Sequence, residues 1–323
     1  MAGRRSLPRY EMLADIGGTN ARFAALGPNG RISHVRILPT ADYASLRDAA
    51  IAWLDAAGLA GKIGRGAIAV ASPITGDRIT LTNRDWSFST SRLKRSLGLS
   101  QLEVVNDFAA VALCVPTLTS RDVLQIGPGK KFTAAPVAIL GPGTGLGVSL
   151  LVPGDRGWIP VATEGGHVSL PAADKIDAAI IEAMRSRFGH VSAERVLSGP
   201  GLADLYTTLA ALEGRSVERL EPPEVMNAAL NDRDPLAIAA IERFCAFLGT
   251  VAGDIALTAG ARGGVYIAGG IVPRLGKALA RTPFRARFEA KGRFKAYLRD
   301  VPTYVVMRDQ PAFGGLKNLL RSG

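Results

Sequence analysis

Residues Met12–Leu26 read MLADIGGTNARFAAL, an apolar run, a Gly17-Gly18-Thr19-Asn20 turn and a second apolar run. This pattern predicts two strands joined by a tight turn. Residues Val137–Val152, VAILGPGTGLGVSLLV, repeat it around a glycine-rich turn centred on Thr144. A strand, turn, strand unit that occurs twice predicts two related halves with a cleft between them. Further short apolar strands are expected at Ala67–Ala71, Leu102–Val105 and Gly264–Ala268, alternating with helical stretches, which predicts an α/β fold.

Five helical segments are legible, the first beginning over Ala109–Leu113. Asp174–Phe188 places Ile176, Ile180 and Met184 on one face, with Gly189 where a C-terminal cap belongs. Asp234 and Pro235 form an N-cap and first-turn pair for an apolar helix reaching about Thr258. A helix is expected over Val272–Ala280. The basic stretch Arg281–Arg299 (RTPFRARFEAKGRFKAYLR) reads as an amphipathic helical segment with Phe284, Phe288 and Phe294 facing the core and its Arg and Lys solvated. No low-complexity tract separates domains, so the boundary is expected inside the fold, near Pro116–Arg121.

With 323 residues and 47% hydrophobic content the chain can bury a large core, in about two domains by length. The net charge of +11 permits nucleic-acid binding without requiring it, and no nucleic-acid partner is expected. Cys114 and Cys245 lie in apolar stretches without zinc spacing and are too few to staple a secreted fold, which suits a reducing cytosol. Arg4, Arg5 and Arg9 read as a tail. Met12–Ile16 is too short for a signal core, and no stretch approaching the ~18 apolar residues of a membrane span is expected.

The two glycine turns carry the chemistry. Glycines let backbone N–H groups approach an anion, because no Cβ intervenes and positive φ is available. In the first turn Gly17, Gly18, Thr19 and Asn20 offer donors, and Asp15 supplies a carboxylate where a hydrated Mg²⁺ could sit. Gly143, Thr144 and Gly145 repeat the kit without the acid. No Gly-Lys pair is followed by Ser or Thr, which excludes a Walker loop. The sixth position from Gly141 is Leu146 and leads into a strand, which excludes a dinucleotide fingerprint.

Eight blocks in order resemble the bacterial glucokinase family of the actin-like superfamily: LADIGGTNARF, LTNRDWSFS, VVNDFAAVA, LGPGTGLGVS, TEGGHVSLP, ERVLSGPGL, GGVYIAGGIVPR and FEAKGRFKAYL. They cover nearly the whole chain. The resemblance implies a two-lobed actin-like, ribonuclease H-like ATPase fold with a central cleft. Residues 1–117 with 308–323 would form the small α/β domain and 118–307 the large one. It implies a cytoplasmic homodimer that transfers the γ-phosphate of ATP, with Mg²⁺, to the 6-hydroxyl of glucose in glycolysis.

Residue by residue, the resemblance makes Asp107 the general base and Asn106 a ligand of a neighbouring sugar hydroxyl, although Asn106-Asp107 alone also reads as a helix N-cap. Glu164, His167 and Glu194 would bind hexose hydroxyls. By themselves Glu164 and His167 suggest a metal half-site or an ordinary polar loop, and Glu194 a solvated helix charge. Gly269 and Gly270 match the adenosine segment, or a bare turn. Ser72-Pro73-Ile74 and Thr82-Asn83 resemble segments lining the sugar side. His167 is followed by Val-Ser-Leu-Pro, without the cysteine cluster of the zinc-bearing branch. A kinase for an N-acetylated or epimeric hexose stays open. A sugar-sensing regulator is disfavoured, since the first strand begins by about Glu11 and leaves no room for a helix-turn-helix. A non-catalytic sugar binder is disfavoured because Asp107 and both turns are intact.

Overall fold

The computed structural model describes residues 10–81, 85–155 and 157–322. Arg4, Arg5, Arg9, Thr82 and Asn83 lie outside the described residues. The chain divides into two compact units, one running to Thr117 and including Asp309–Gly323, the other Leu118–Arg308.

The first unit is built on β1 (Tyr10–Ile16), β2 (Asn20–Leu26), β3 (Ile32–Pro39) and β4 (Ile63–Val70), with a separate small hairpin of β5 (Arg78–Thr80) and β6 (Ser87–Ser89), and then β7 (Gln101–Asn106). The main sheet has the order β3-β2-β1-β4-β7. β1 pairs antiparallel with β2 and parallel with β4, which pairs parallel with β7. Met12, Leu13, Ala14 and Ile16 are at most 1% exposed. A central strand covered on both faces needs consecutive apolar residues such as Met12–Ala14. Helix Leu46–Ala56 brings Trp53 onto Phe23, ring centroids 5.6 Å apart. Helices Asp107–Cys114 and Pro311–Ser322 pack on each other, and a Cβ at Gly315 would collide with the carbonyl oxygen of Ala110.

The second unit contains β8 (Val123–Ile126), β9 (Val137–Pro142), β10 (Leu146–Gly154), β11 (Gly157–Thr163), β12 (Val265–Ile267) and β13 (Thr303–Val306). Its sheet order is β11-β10-β9-β12-β13-β8. Three antiparallel strands lead into two parallel ones, as in the first unit, with β8 added at the edge. The repeated sequence unit is therefore a repeated topology.

Helix Pro235–Ala259 is the core element of this unit. Asp234 caps it by accepting the Leu236 N–H at 2.8 Å, and Gly260 ends it at φ 58°. Contrary to the expectation of no such stretch, this 25-residue helix is long and apolar enough to cross a membrane by length and composition. Most of its apolar window, 78%, is buried inside the protein, as a core helix requires.

Three helical expectations need correction. The 281–299 stretch is two short helices, Phe284–Glu289 and Lys295–Asp300, broken at Gly292 with φ 54°. Phe284 and Phe288 are buried as expected, but the break turns Phe294 outward, and it is 45% exposed. Arg285, Arg287 and Lys291 are not solvated as expected but largely covered, in ion pairs with Glu289, Asp174 and Asp254. Ile176 also faces solvent, because the buried face of its helix runs through Asp177, Ile180, Ile181 and Met184. The helix expected over Val272–Ala280 is α only to Leu275 and continues as 3-10 turns from Gly276.

Candidate active site

In the first unit the parallel strands end in one row, Ile16 opposite Val70 and Val70 opposite Asn106. The Gly17–Thr19 turn, Ser72 and Asp107 therefore leave the sheet at the same edge. Turn and Asp107 are two strand spacings apart, about 10 Å. The carboxyl ends of parallel strands are where α/β sheets bind ligands.

The Gly17 N–H donates to the Asn20 carbonyl at 3.0 Å, closing the turn. Thr40, 1% exposed, braces it from behind: its Oγ1 donates to the Gly18 carbonyl at 2.7 Å and its N–H to the Thr19 carbonyl at 2.9 Å. No local pattern in the sequence marks Thr40. The expected use of positive φ in the phosphate turns is not found, since Gly17, Gly18, Gly143 and Gly145 all lie outside that region. Their value is open access to the backbone. A Cβ at Gly17 or Gly143 would meet nothing closer than 3.5 Å.

Asp15 lies at the end of β1 with Arg22 donating to it at 3.1 Å. Burial pushes its carboxyl above the usual range, and the Arg22 charge and hydrogen bond oppose that push. Asn106 is the N-cap of the following helix; its Oδ1 accepts the Phe108 and Ala109 N–H groups at 3.0 and 3.2 Å. Capping and ligand binding are compatible here, because the cap uses the oxygen and leaves the Nδ2 amide as a donor. Asp107 is half-buried, opens the helix, and accepts the Phe108 N–H on Oδ1 at 2.8 Å.

The second unit gathers the remaining predicted residues except Gly270 around the Gly143–Gly145 turn. The Gly143 N–H donates to the Gly145 carbonyl at 2.8 Å, and the Gly199 N–H donates to the Gly143 carbonyl at 2.7 Å. Glu194, on the short helix Ala193–Val196, accepts the Leu146 N–H on Oε2 at 2.8 Å. It is not a solvated helix charge. His167 stands between two carboxylates, Nδ1 4.0 Å from Glu194 Oε1 and Nε2 3.9 Å from Glu164 Oε2. Glu164 and His167 are exposed, as is Thr144 at the tip of the turn. Gly166 holds the histidine turn close, since a Cβ there would collide with the Leu146 carbonyl. Gly269 is confined by φ 84° and by the Pro142 carbonyl, which a Cβ would strike; Gly270 is open. Gly166 and Gly199 were invisible as site residues because their partners lie far away in the chain.

Among the described residues no group of three or more His, Cys, Asp and Glu could hold a metal ion. A single carboxylate such as Asp15 fits an ion that keeps most of its water and takes other oxygens from a substrate, and it does not fit a protein-caged ion.

Duplicated sheets with a glycine turn in each are the layout of an actin-like α/β fold, and the solved structures it matches place it among the sugar kinases. A sequence model of the glucokinase family, described as "Glucokinase", matches residues 12–322, and the chain belongs to that family. It is 49% identical over 315 residues to a glucokinase of Nitrobacter hamburgensis, covering 98% of both chains. It is 45% identical over 310 residues to a "Bifunctional protein glk" of Burkholderia pseudomallei, covering 96% of this chain but only 48% of that longer protein. A crystal structure of a glucokinase from an Antarctic psychrotroph superposes with a TM-score of 0.87 at 37% identity, covering 98% of this chain and 99% of the other.

Proposed function

We propose that this chain is an ATP-dependent glucokinase. The oxygen of the glucose 6-hydroxyl attacks the γ-phosphorus, its bond to the β,γ-bridging oxygen breaks, ADP leaves, and Asp107 takes the hydroxyl proton. A primary alcohol is a weak nucleophile, so a carboxylate accepting its proton as the bond forms is the group such a transfer needs. The observation that carries the reading is the placement of Asp107 at the same sheet edge as the Gly17–Thr19 turn, one residue beyond β7.

Asn106, Glu164, His167 and Glu194 hold the hexose in this reading, combining an amide, two carboxylates and an imidazole that address hydroxyls as donors and acceptors. The Gly17–Asn20 and Gly143–Gly145 turns hold phosphates, and Gly269 and Gly270 let adenosine lie against the backbone. Mg²⁺ would neutralise phosphate charge, with Asp15 as its contact through water. Two buried free cysteines favour a reducing compartment such as the cytoplasm, and the homodimer rests on the family resemblance alone.

The test is a coupled ADP-release assay over glucose, mannose, fructose and N-acetylglucosamine, with polyphosphate replacing ATP in a parallel series. Glucose with ATP should be turned over fastest. Asp107→Asn should lower kcat by roughly 10²–10⁴-fold. Wild-type turnover in Asp107→Asn would remove the base, and a preference for another sugar would replace glucose.

A further inference from the structure

Glu194 touches two things at once. Its Oε2 accepts the Leu146 N–H, the first amide beyond the Gly143–Gly145 turn, while its Oε1 faces His167 Nδ1 at 4.0 Å. A Cβ at Gly145 would meet Glu194 Oε2, so a side chain there would have to push the carboxylate aside. The side chain is 34% exposed, so one end is bedded on the turn and the other reaches the surface that His167 shares. The far end of the turn is fixed independently, by the Gly199 N–H on the Gly143 carbonyl. Removal of the carboxylate thus takes away one tie at the Leu146 end of the turn, while the Gly143–Gly145 and Gly199–Gly143 hydrogen bonds remain.

We propose that Glu194 is a positioning residue for the phosphate turn, setting nucleotide affinity through the Leu146 amide, in addition to its hexose contact. This rests on the kinase reading above for what the turn binds. A sugar ligand acting only through its hydroxyl contacts would not change nucleotide binding when no sugar is present. A side chain that anchors the turn must do so, because a turn with one tie fewer is less ordered beforehand and the nucleotide it receives has to supply that order. The chemistry of the two oxygens separates the roles. Glutamine at this position keeps one oxygen to accept the Leu146 N–H but places an amide donor where the second carboxylate oxygen faced His167.

The experiment measures the Kd of a non-hydrolysable ATP analogue by calorimetry without hexose, for wild type, Glu194→Ala and Glu194→Gln. Amide hydrogen exchange of the segment containing Leu146 is followed in parallel without any ligand. Glu194→Ala should weaken the analogue roughly three- to tenfold, the net worth of one ordinary intramolecular hydrogen bond. It should also speed exchange at Leu146. Glu194→Gln should restore both toward wild type while its KM for glucose rises. Unchanged analogue affinity and unchanged exchange in Glu194→Ala would overturn the proposal, as would a Glu194→Gln protein as impaired as the alanine variant in both. If wild type fails to bind the analogue, the kinase reading falls and the link to nucleotide affinity falls with it, whereas the exchange data still report whether Glu194 holds the turn.

Discussion

Asp15 and Arg22 stand directly opposite each other across the β1–β2 hairpin, and the guanidinium donates to the carboxylate at 3.1 Å. Even so, burial wins over the arginine and holds the Asp15 pKa above its ordinary 3.8. The folded protein then binds more protons than the unfolded chain as pH rises through this window, so stability is present below 3.8 and is lost as pH passes the raised folded value. Asp15→Asn should therefore melt higher than wild type at pH 7, with the gap narrowing as pH falls toward 3.8, while turnover drops. A melting temperature at pH 7 equal to or below wild type would contradict the raised value.

Asp174 shows the opposite sign. Burial pushes its pKa up, but the Asp177 N–H together with Arg243 and Arg287 pulls it down to about 2. Its contribution is present above 3.8 and lost as pH falls toward 2. Arg287 also pairs with Asp177, which is fully buried and is shared with Arg243. Arg287→Ala should cost about 3 kcal/mol in urea unfolding at pH 7, because it leaves buried charge under-compensated. The deficit should shrink at pH 3. Arg287→Lys should not restore it, since one ammonium cannot bridge two carboxylates as a guanidinium fork does.

Gly315 lets helix Pro311–Ser322 lie against helix Asp107–Cys114. In Gly315→Ala the new methyl group meets the Ala110 carbonyl, and a loss of about 2 kcal/mol is expected from overpacking. Thermal melts should detect it. Kinase activity should fall in proportion, because Asp107 is on the displaced helix; a stable variant with full activity would show that the helices yield without consequence.

Cys114 and Cys245 are both fully buried, and burial drives the Cys245 thiol up to about 12. Reaction needs the thiolate. Ellman's reagent at pH 8 should find no reactive thiol in the native protein and both after denaturation in guanidinium.

Much of this architecture was legible because it is local. The glycine turns lie between apolar runs, and Asp234-Pro235 announces the core helix within two residues. Contacts between distant segments were not legible. Glu194 meets Leu146 across 48 residues, and Thr40 braces Gly18 across 22. Nothing near Glu194 distinguishes it from a solvated helix charge. Periodicity misled where a helix was shorter than its pattern, as at Gly292, whose left-handed backbone places Phe294 outside the apolar face.

Helix Pro311–Ser322 completes the unit that contains the first strand. During synthesis, then, the nascent β1–β7 sheet must wait for the whole of the second unit to be translated before its closing helix leaves the ribosome. Until that moment the Ala110 side of the helix bearing Asp107 is bare apolar surface. Chaperone capture should therefore favour released chains that end before Pro311 over released chains that include the helix.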